Sequence, residues 1–275
     1  MDVLKNLIYG FVSGIAEFLP VSSGAHQGLI RYIFGIDARD SLQNLLVHIG
    51  VLFAVILGFR ETLFRLQREQ KNLASGRRRS KSLDIKAAYD LKLIKTATIP
   101  LFIGLFLSFA TWHWENSLLA IMVFFLLNAL VLLVADHAPQ GNKDARTLTG
   151  LDGILIGILG ALSALPGVSR TGMITSYTTL RGADRERSAS WAIVLCIPAM
   201  IFAIIFDFYG MFSFGVGSLT FIGFLGYLVS GISAFFGGYL GISLLQTILG
   251  HSGFSGFAYY SLGASFLSFM LYLIT

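Results

Sequence analysis

Six uninterrupted apolar runs, at about 41–59, 91–112, 117–135, 188–210, 219–248 and 256–274, constrain this chain more than any other feature. Roughly 20 such residues carry a helix across the hydrocarbon of a bilayer, and a soluble domain has no place to bury six of them. Composition closes the alternative. Only 13% of the 275 residues are charged, against roughly 25% in soluble domains, which leaves too little polar surface to cover a soluble globule. The expectation is an all-α integral membrane protein with six transmembrane helices, forming a single membrane domain over 1–275. Met1 to Gly10 lacks a basic stretch followed by a small-residue cleavage site, and is expected to belong to the mature chain.

Two further apolar segments, 3–35 and 152–181, are interrupted. Each carries Gly and Ser on both sides of a Leu-Pro pair, Leu19-Pro20 and Leu165-Pro166. Proline removes a backbone donor and clashes with the preceding turn. Within a membrane such a break survives only where protein or a water-filled cavity satisfies the freed groups. Both segments are therefore expected as re-entrant helical hairpins. The order becomes broken segment, three spans, broken segment, three spans. An odd number of crossings turns the second half over, which predicts an inverted-topology repeat with halves at approximately 1–140 and 141–275. Paired broken segments of this kind point to the binding site. Gly14 through Ser23 can be laid on Gly160 through Ser169, sharing Gly, Leu, Pro and Ser.

Basic residues orient the chain. Stretch 60–95 holds eleven Lys and Arg; with Lys143, Arg146, Arg181, Arg185 and Arg187, sixteen of the twenty basic residues fall on one predicted side. The opposite turns near 113–116 and 211–218 hold none. Stretch 60–95 is thus expected as a basic cytoplasmic loop beside anionic lipid head groups rather than a nucleic-acid surface. Both termini, and the mouth of the first broken segment, are expected outside.

Ionisable residues inside a membrane cost at least a few kcal/mol, so each requires a reason. Glu17 and His26 flank the first break, with Ser22 and Ser23 between them. A carboxylate, two hydroxyls and an imidazole are parts for acid–base or nucleophilic chemistry; taken alone, Ser22 reads as a helix cap. Arg170 sits in Pro166-Gly167-Val168-Ser169-Arg170-Thr171-Gly172. A guanidinium matches phosphate oxygens bidentately, and Ser169, Thr171 and the following helix N-terminus add donors for an anion. A structural pairing of Arg170 with Glu17 is the alternative. His48, beside Asn44 and Gly50, suits a helix-packing hydrogen bond as well as a catalytic role. Asp207 is expected near an outer helix end, reaching water, and Asn128 in an interhelical hydrogen bond. The single cysteine, Cys196, excludes an intrachain disulfide and a cysteine metal site. No Walker A, GxGxxG or HExxH pattern occurs.

The stretches Glu17-Phe18-Leu19-Pro20-Val21-Ser22-Ser23-Gly24-Ala25-His26 and Pro166-Gly167-Val168-Ser169-Arg170-Thr171-Gly172, the second extended to Thr175, resemble the two motifs of the undecaprenyl-pyrophosphate phosphatases, the bacitracin-resistance family. The resemblance implies hydrolysis of the terminal phosphate of a C55 polyprenyl diphosphate at the outer face of the bacterial cytoplasmic (inner) membrane, for carrier-lipid recycling in cell-wall synthesis. It implies Glu17, Ser23, His26 and Arg170 as catalytic residues, with Ser23 or His26 as nucleophile, and Ser22, Gly167, Ser169, Thr171 and Thr175 on the substrate. Ser13 and His48 are expected at one remove. A divalent cation, Mg²⁺ or Ca²⁺, is implied as cofactor, with Glu17 its one candidate ligand. The expected partners are the polyprenyl diphosphate and the bilayer, with no nucleic acid; a homodimer is compatible. One position departs from the family: Ser13 stands where a carboxylate or amide is expected, one helical turn before Glu17 and so facing the same pocket. A transporter of polyprenyl phosphate or another anionic lipid on the same fold is the alternative function.

Overall fold

The computed structural model describes residues 3–35, 40–75, 84–214, 220–251 and 253–274. Among them the chain is all-α, with no strand. The first broken segment forms α1 (Val3–Phe18) and α2 (Ser23–Phe34). Then come α3 (Ser41–Gly58), α4 (Arg60–Ala74), α5 (Ile85–Leu101), α6 (Ile103–Thr111), a 3₁₀ turn at Trp112–Asn116, and α7 (Leu118–Asp136). The second broken segment forms α8 (Gly150–Ala161), a 3₁₀ turn at Leu162–Ala164, and α9 (Arg170–Leu180). Three long helices follow: α10 (Arg185–Phe214), α11 (Phe221–His251) and α12 (Ser255–Ile274).

Among the described residues, six stretches are long and apolar enough to cross a bilayer: Ser41–Gly58, Ile85–Asn116, Leu118–Asp136, Arg185–Ser213, Phe221–Gly250 and Ser255–Ile274. The protein is a multi-pass membrane protein by length and composition. At 1.5 Å per residue α1 is only about 24 Å long, and α2, α8 and α9 about 16–18 Å. Pro100 lies inside α5 and the helix resets at Phe102 to begin α6, as expected where a proline removes one ladder bond.

The basic stretch differs from its expectation as a loop. Arg60–Ala74 is helical, and α5 already begins at Ile85, where the Asp84 carboxylate caps it by accepting the Ala87 N–H. The reason is local. Residues 60–74 are almost all good helix formers without Gly or Pro, and Leu63, Leu66 and Leu73 recur on one face, which packs on the core. Arg77, Arg78, Arg79 and Lys81 lie outside the described residues.

The core is built by close backbone approach. α1 lies along α11, and α8 along α5. A Cβ added to Gly14 of α1 would stand 2.2 Å from the Ala234 carbonyl oxygen of α11. Small residues are how membrane helices approach this closely when lipid is as apolar as leucine. α3 packs on α10 and α11, and α7 on α12. The two breaks are thereby brought together in the interior.

Candidate active site

Glu17 occupies the last turn of α1, and Ser23 opens α2 four residues beyond Leu19. Between them Ser22 adopts φ 64°, the one positive φ outside glycine among the described residues, a left-handed conformation that non-glycine residues rarely hold without tertiary support. That support comes from the second break. The Ser22 hydroxyl does not cap α2; it accepts the Gly167 backbone N–H at 3.0 Å. This corrects the reading of Ser22 as a local cap. Gly167 itself has φ 120° and its Cα side presses on the backbone of Phe124 and Phe125, so only glycine fits there.

Further bonds tie the breaks together. The Ser169 and Thr171 hydroxyls both donate to the Leu19 carbonyl, at 3.1 and 3.0 Å. Asn128 of α7 donates to the Pro20 carbonyl at 2.9 Å and accepts the Ser169 N–H at 3.0 Å. The proline at position 20 frees backbone groups, and Asn128 answers them; it also donates to Ser261 of α12, the interhelical bond expected of it. The Ser169 hydroxyl additionally caps α9, accepting the Gly172 N–H. Thr175 is fully buried and returns its hydroxyl to its own helix at the Thr171 carbonyl.

At the centre the Glu17 carboxylate takes two partners. One oxygen accepts from the Arg170 guanidinium and the other from the Ser23 hydroxyl. All three side chains line a cavity of about 120 Å³, together with Gln27, His48, Ser108, Glu115 and Ser163. A smaller chamber of about 40 Å³ is walled by Glu17, Ser22, Ser23, Ser163, Ser169 and Arg170. Arg170 also donates to the Cys196 sulfur at 3.1 Å, and its Nε is buried without a hydrogen-bond partner. An unsatisfied guanidinium N–H of this kind is costly unless an anion answers it.

Other expected residues lie elsewhere. His26 turns from the cavity towards α7 and α12. Its Nδ1 contacts the Ser22 carbonyl at 2.7 Å and its Nε2 the Tyr260 hydroxyl at 2.6 Å; the ring stacks on Tyr260 and stands edge-on to Phe125. A carbonyl oxygen only accepts, so Nδ1 carries a proton. Ser13 is buried with its hydroxyl given to the Tyr9 carbonyl at 2.6 Å, and it lines neither chamber. Asp207 differs from its expected place at a wet helix end: it is fully buried and bonds His48 Nδ1 at 2.6 Å. The helix runs on to Phe214, and that extension puts Asp207 inside. Cys196 and Tyr260 carry no sequence signal: each is one more apolar or aromatic residue in an apolar run.

The donor set does not fit a divalent cation held by protein alone. Glu17 spends both oxygens on Arg170 and Ser23, and among the described residues no group of three His, Cys, Asp or Glu is placed to hold a metal ion.

Comparison with known proteins adds to this geometry. The family profile described as Bacitracin resistance protein BacA matches residues 6–267. The chain is 30% identical over 274 residues to a Bacillus cereus protein named undecaprenyl-diphosphatase 3, covering 98% of each chain. It is 28% identical over 266 residues to an undecaprenyl-diphosphatase of Alkaliphilus metalliredigens, covering 95% of each. A Prochlorococcus marinus undecaprenyl-diphosphatase is 30% identical over 267 residues, covering 94% of this chain and 96% of the relative.

Proposed function

The chain belongs to the family of the bacitracin resistance protein BacA, and we infer from that membership that it is an integral membrane phosphatase hydrolysing undecaprenyl diphosphate to undecaprenyl phosphate and inorganic phosphate. The observation that carries the mechanism is the shared carboxylate: Glu17 bonds both the Ser23 hydroxyl and the Arg170 guanidinium. The lipid-transport alternative is not favoured, since the matched relatives are named as diphosphatases.

Arg170 anchors the terminal phosphate, using the donors it does not spend on Glu17. The Ser23 Oγ attacks the terminal phosphorus while Glu17 takes its proton. The bridging P–O bond breaks and undecaprenyl phosphate leaves with the electron pair. Water then attacks the phosphorus of phospho-Ser23, the Oγ–P bond breaks, and Oγ recovers its proton from Glu17. Both protons of the water leave on the phosphate, and Glu17 is again a carboxylate. Of the two candidate nucleophiles we assign the role to Ser23; His26 holds the Ser22 carbonyl and so fixes the start of α2. Ser22, Gly167, Ser169 and Thr171 keep the two breaks in register. A divalent ion bound with the diphosphate would neutralise phosphate charge.

The topology we propose makes α1–α2 and α8–α9 re-entrant hairpins and the halves inverted copies. Support lies in their lengths, short of the ~30 Å hydrocarbon, and in a reciprocal packing. Gly14 of α1 lies on the Ala234 carbonyl of α11, in the second half; Gly157 of α8 lies on the Ala97 carbonyl of α5, in the first. With the basic stretch 60–95 cytoplasmic, both termini lie outside. The cavity reaches Glu115 in the Trp112–Asn116 turn, on the side opposite Arg60, so it faces outward.

The test is phosphate release from undecaprenyl diphosphate by purified protein in detergent, with Mg²⁺ present and with it chelated. Wild type releases phosphate; Ser23→Ala and Arg170→Ala do not, while His26→Gln retains measurable turnover. No release by wild type in either condition overturns the activity, and full turnover by Ser23→Ala overturns the nucleophile.

A further inference from the structure

His48 lines the same cavity as Glu17, Ser23 and Arg170. It sits in the middle of α3, with Asp207 of α10 across from it. The Asp207 carboxylate is fully buried, and its Oδ2 stands 2.6 Å from His48 Nδ1. Burying a carboxylate is expensive unless a positive group compensates it, and a protonated imidazole at this distance does so directly. Nδ1 is spent on Asp207. Nε2 is the ring nitrogen left for the cavity.

The other charged groups around the ring are few. Glu17 on α1 and Arg170 on α9 line the same space and neutralise each other, and Glu115 of the Trp112–Asn116 turn, which also lines it, is paired with Arg31 of α2. α11, which also packs on α3, carries no Asp, Glu, Lys, Arg or His between Phe221 and Gly250. The Glu17–Arg170 pair therefore offers a diphosphate little net positive charge, and no cage of protein ligands for a metal completes it.

We propose that His48, aimed through its Nδ1 bond to the Asp207 carboxylate, is a second phosphate-binding donor of this site, presenting Nε2–H to the substrate diphosphate across the cavity from Arg170. The proposal rests on the phosphatase reading. Asp207 is a positioning residue that aims the ring; it does not touch substrate. An imidazolium gives a charge-assisted hydrogen bond to a phosphate oxygen, and a glutamine in its place supplies a neutral N–H of similar reach.

Binding, not turnover, is the direct test. The probe is a methylene-bridged polyprenyl diphosphate, which cannot be hydrolysed at the bridge, titrated against full-length protein in detergent. His48→Ala weakens binding roughly 10- to 100-fold, the loss of one hydrogen bond to a charged group. His48→Gln, which can still reach Asp207 and preserves folding, weakens it less. Asp207→Asn weakens binding in the wild-type background and not in the His48→Ala background, which a purely structural aspartate does not do. His48→Ala binding as tightly as wild type, or Asp207→Asn weakening binding equally in both backgrounds, overturns the proposal. Failure of the phosphatase reading shows separately, as absence of phosphate release from the natural substrate by wild type.

Discussion

The Ser22 hydroxyl accepts the backbone N–H of Gly167 at 3.0 Å, joining residues 145 positions apart in the chain. A residue that could have capped its own helix instead closes the contact between two broken helices. Ser22→Ala leaves a buried N–H without an acceptor, and such a group costs about 1–3 kcal/mol. The variant is expected to melt several degrees lower in detergent. Equal melting of Ser22→Ala and wild type would show the bond to be replaceable by water.

The Glu17–Arg170 pair predicts non-additive thermodynamics. Both side chains are buried, at 9% and 5% side-chain exposure. Removing one partner strands the other's charge, typically at about 3–5 kcal/mol. Glu17→Gln and Arg170→Met are each expected to destabilise strongly. The double variant recovers much of that loss, because neither charge is left alone, yet releases no phosphate. Thermal melting of the four proteins closes the cycle; a double variant as unstable as the sum of the singles would remove the coupling.

Tyr260→Phe removes one hydroxyl and keeps the ring stacked on His26. His26 Nε2 then loses its 2.6 Å partner, at about 1 kcal/mol. Because His26 faces away from the reacting carboxylate, turnover is expected to fall by less than about tenfold, far less than for Ser23→Ala. A loss as complete as that of Ser23→Ala would place His26 among the reacting groups.

Packing at α1–α11 is equally exposed to test. Gly14→Ala puts a methyl 2.2 Å from the Ala234 carbonyl oxygen, and backbone on both sides has to move. Overpacking of this sort costs about 1–3 kcal/mol. The displaced helix is the one that bears Glu17, so activity is expected to fall together with the melting temperature.

In the connection between α7 and α8, Arg146 donates to Asp144 at 3.0 and 3.1 Å. That hydrogen bond, aided by the charges of Arg146 and Arg187, holds the Asp144 carboxyl below its ordinary value of 3.8. A carboxyl with a depressed folded value stabilises above its unfolded value and ceases to do so as pH falls through the folded one. The melting difference between wild type and Asp144→Asn should therefore be constant near neutrality, shrink below about pH 4 and then vanish. A difference that persists in acid would exclude the ion pair as its source.

The apolar runs were legible because length alone decides a span, and the breaks because proline is a backbone event written in one letter. Which way a side chain faces was not. His26 and Gln27 lie three and four residues after Ser23, and either spacing serves one helix face. Gln27 reaches the cavity wall, while His26 is drawn off by Tyr260, 234 residues away. Asp207 was misplaced for a related reason. Its run looked finished near residue 210, but α10 continues through Phe212 and Phe214, and one extra turn separates a wet helix end from a buried one. In Arg60–Ala74 the charge signals a side of the membrane, and the helix is written only in the sparser Leu63, Leu66, Leu73 stripe.

The seating of α1 against α11 has a consequence for the order of synthesis. The helix that bears Glu17 leaves the ribosome well before the backbone it rests on, around Ala234. Arg170 and the bonds from Ser169 and Thr171 to the Leu19 carbonyl also arrive midway. Until Asn128, Ser169 and Thr171 have been made, the carbonyls at the first break therefore lack the partners that answer them, a state that hydrocarbon would penalise. Chains arrested before about residue 245 are predicted to be substrates for membrane quality control, even though every residue of the first motif has already been made.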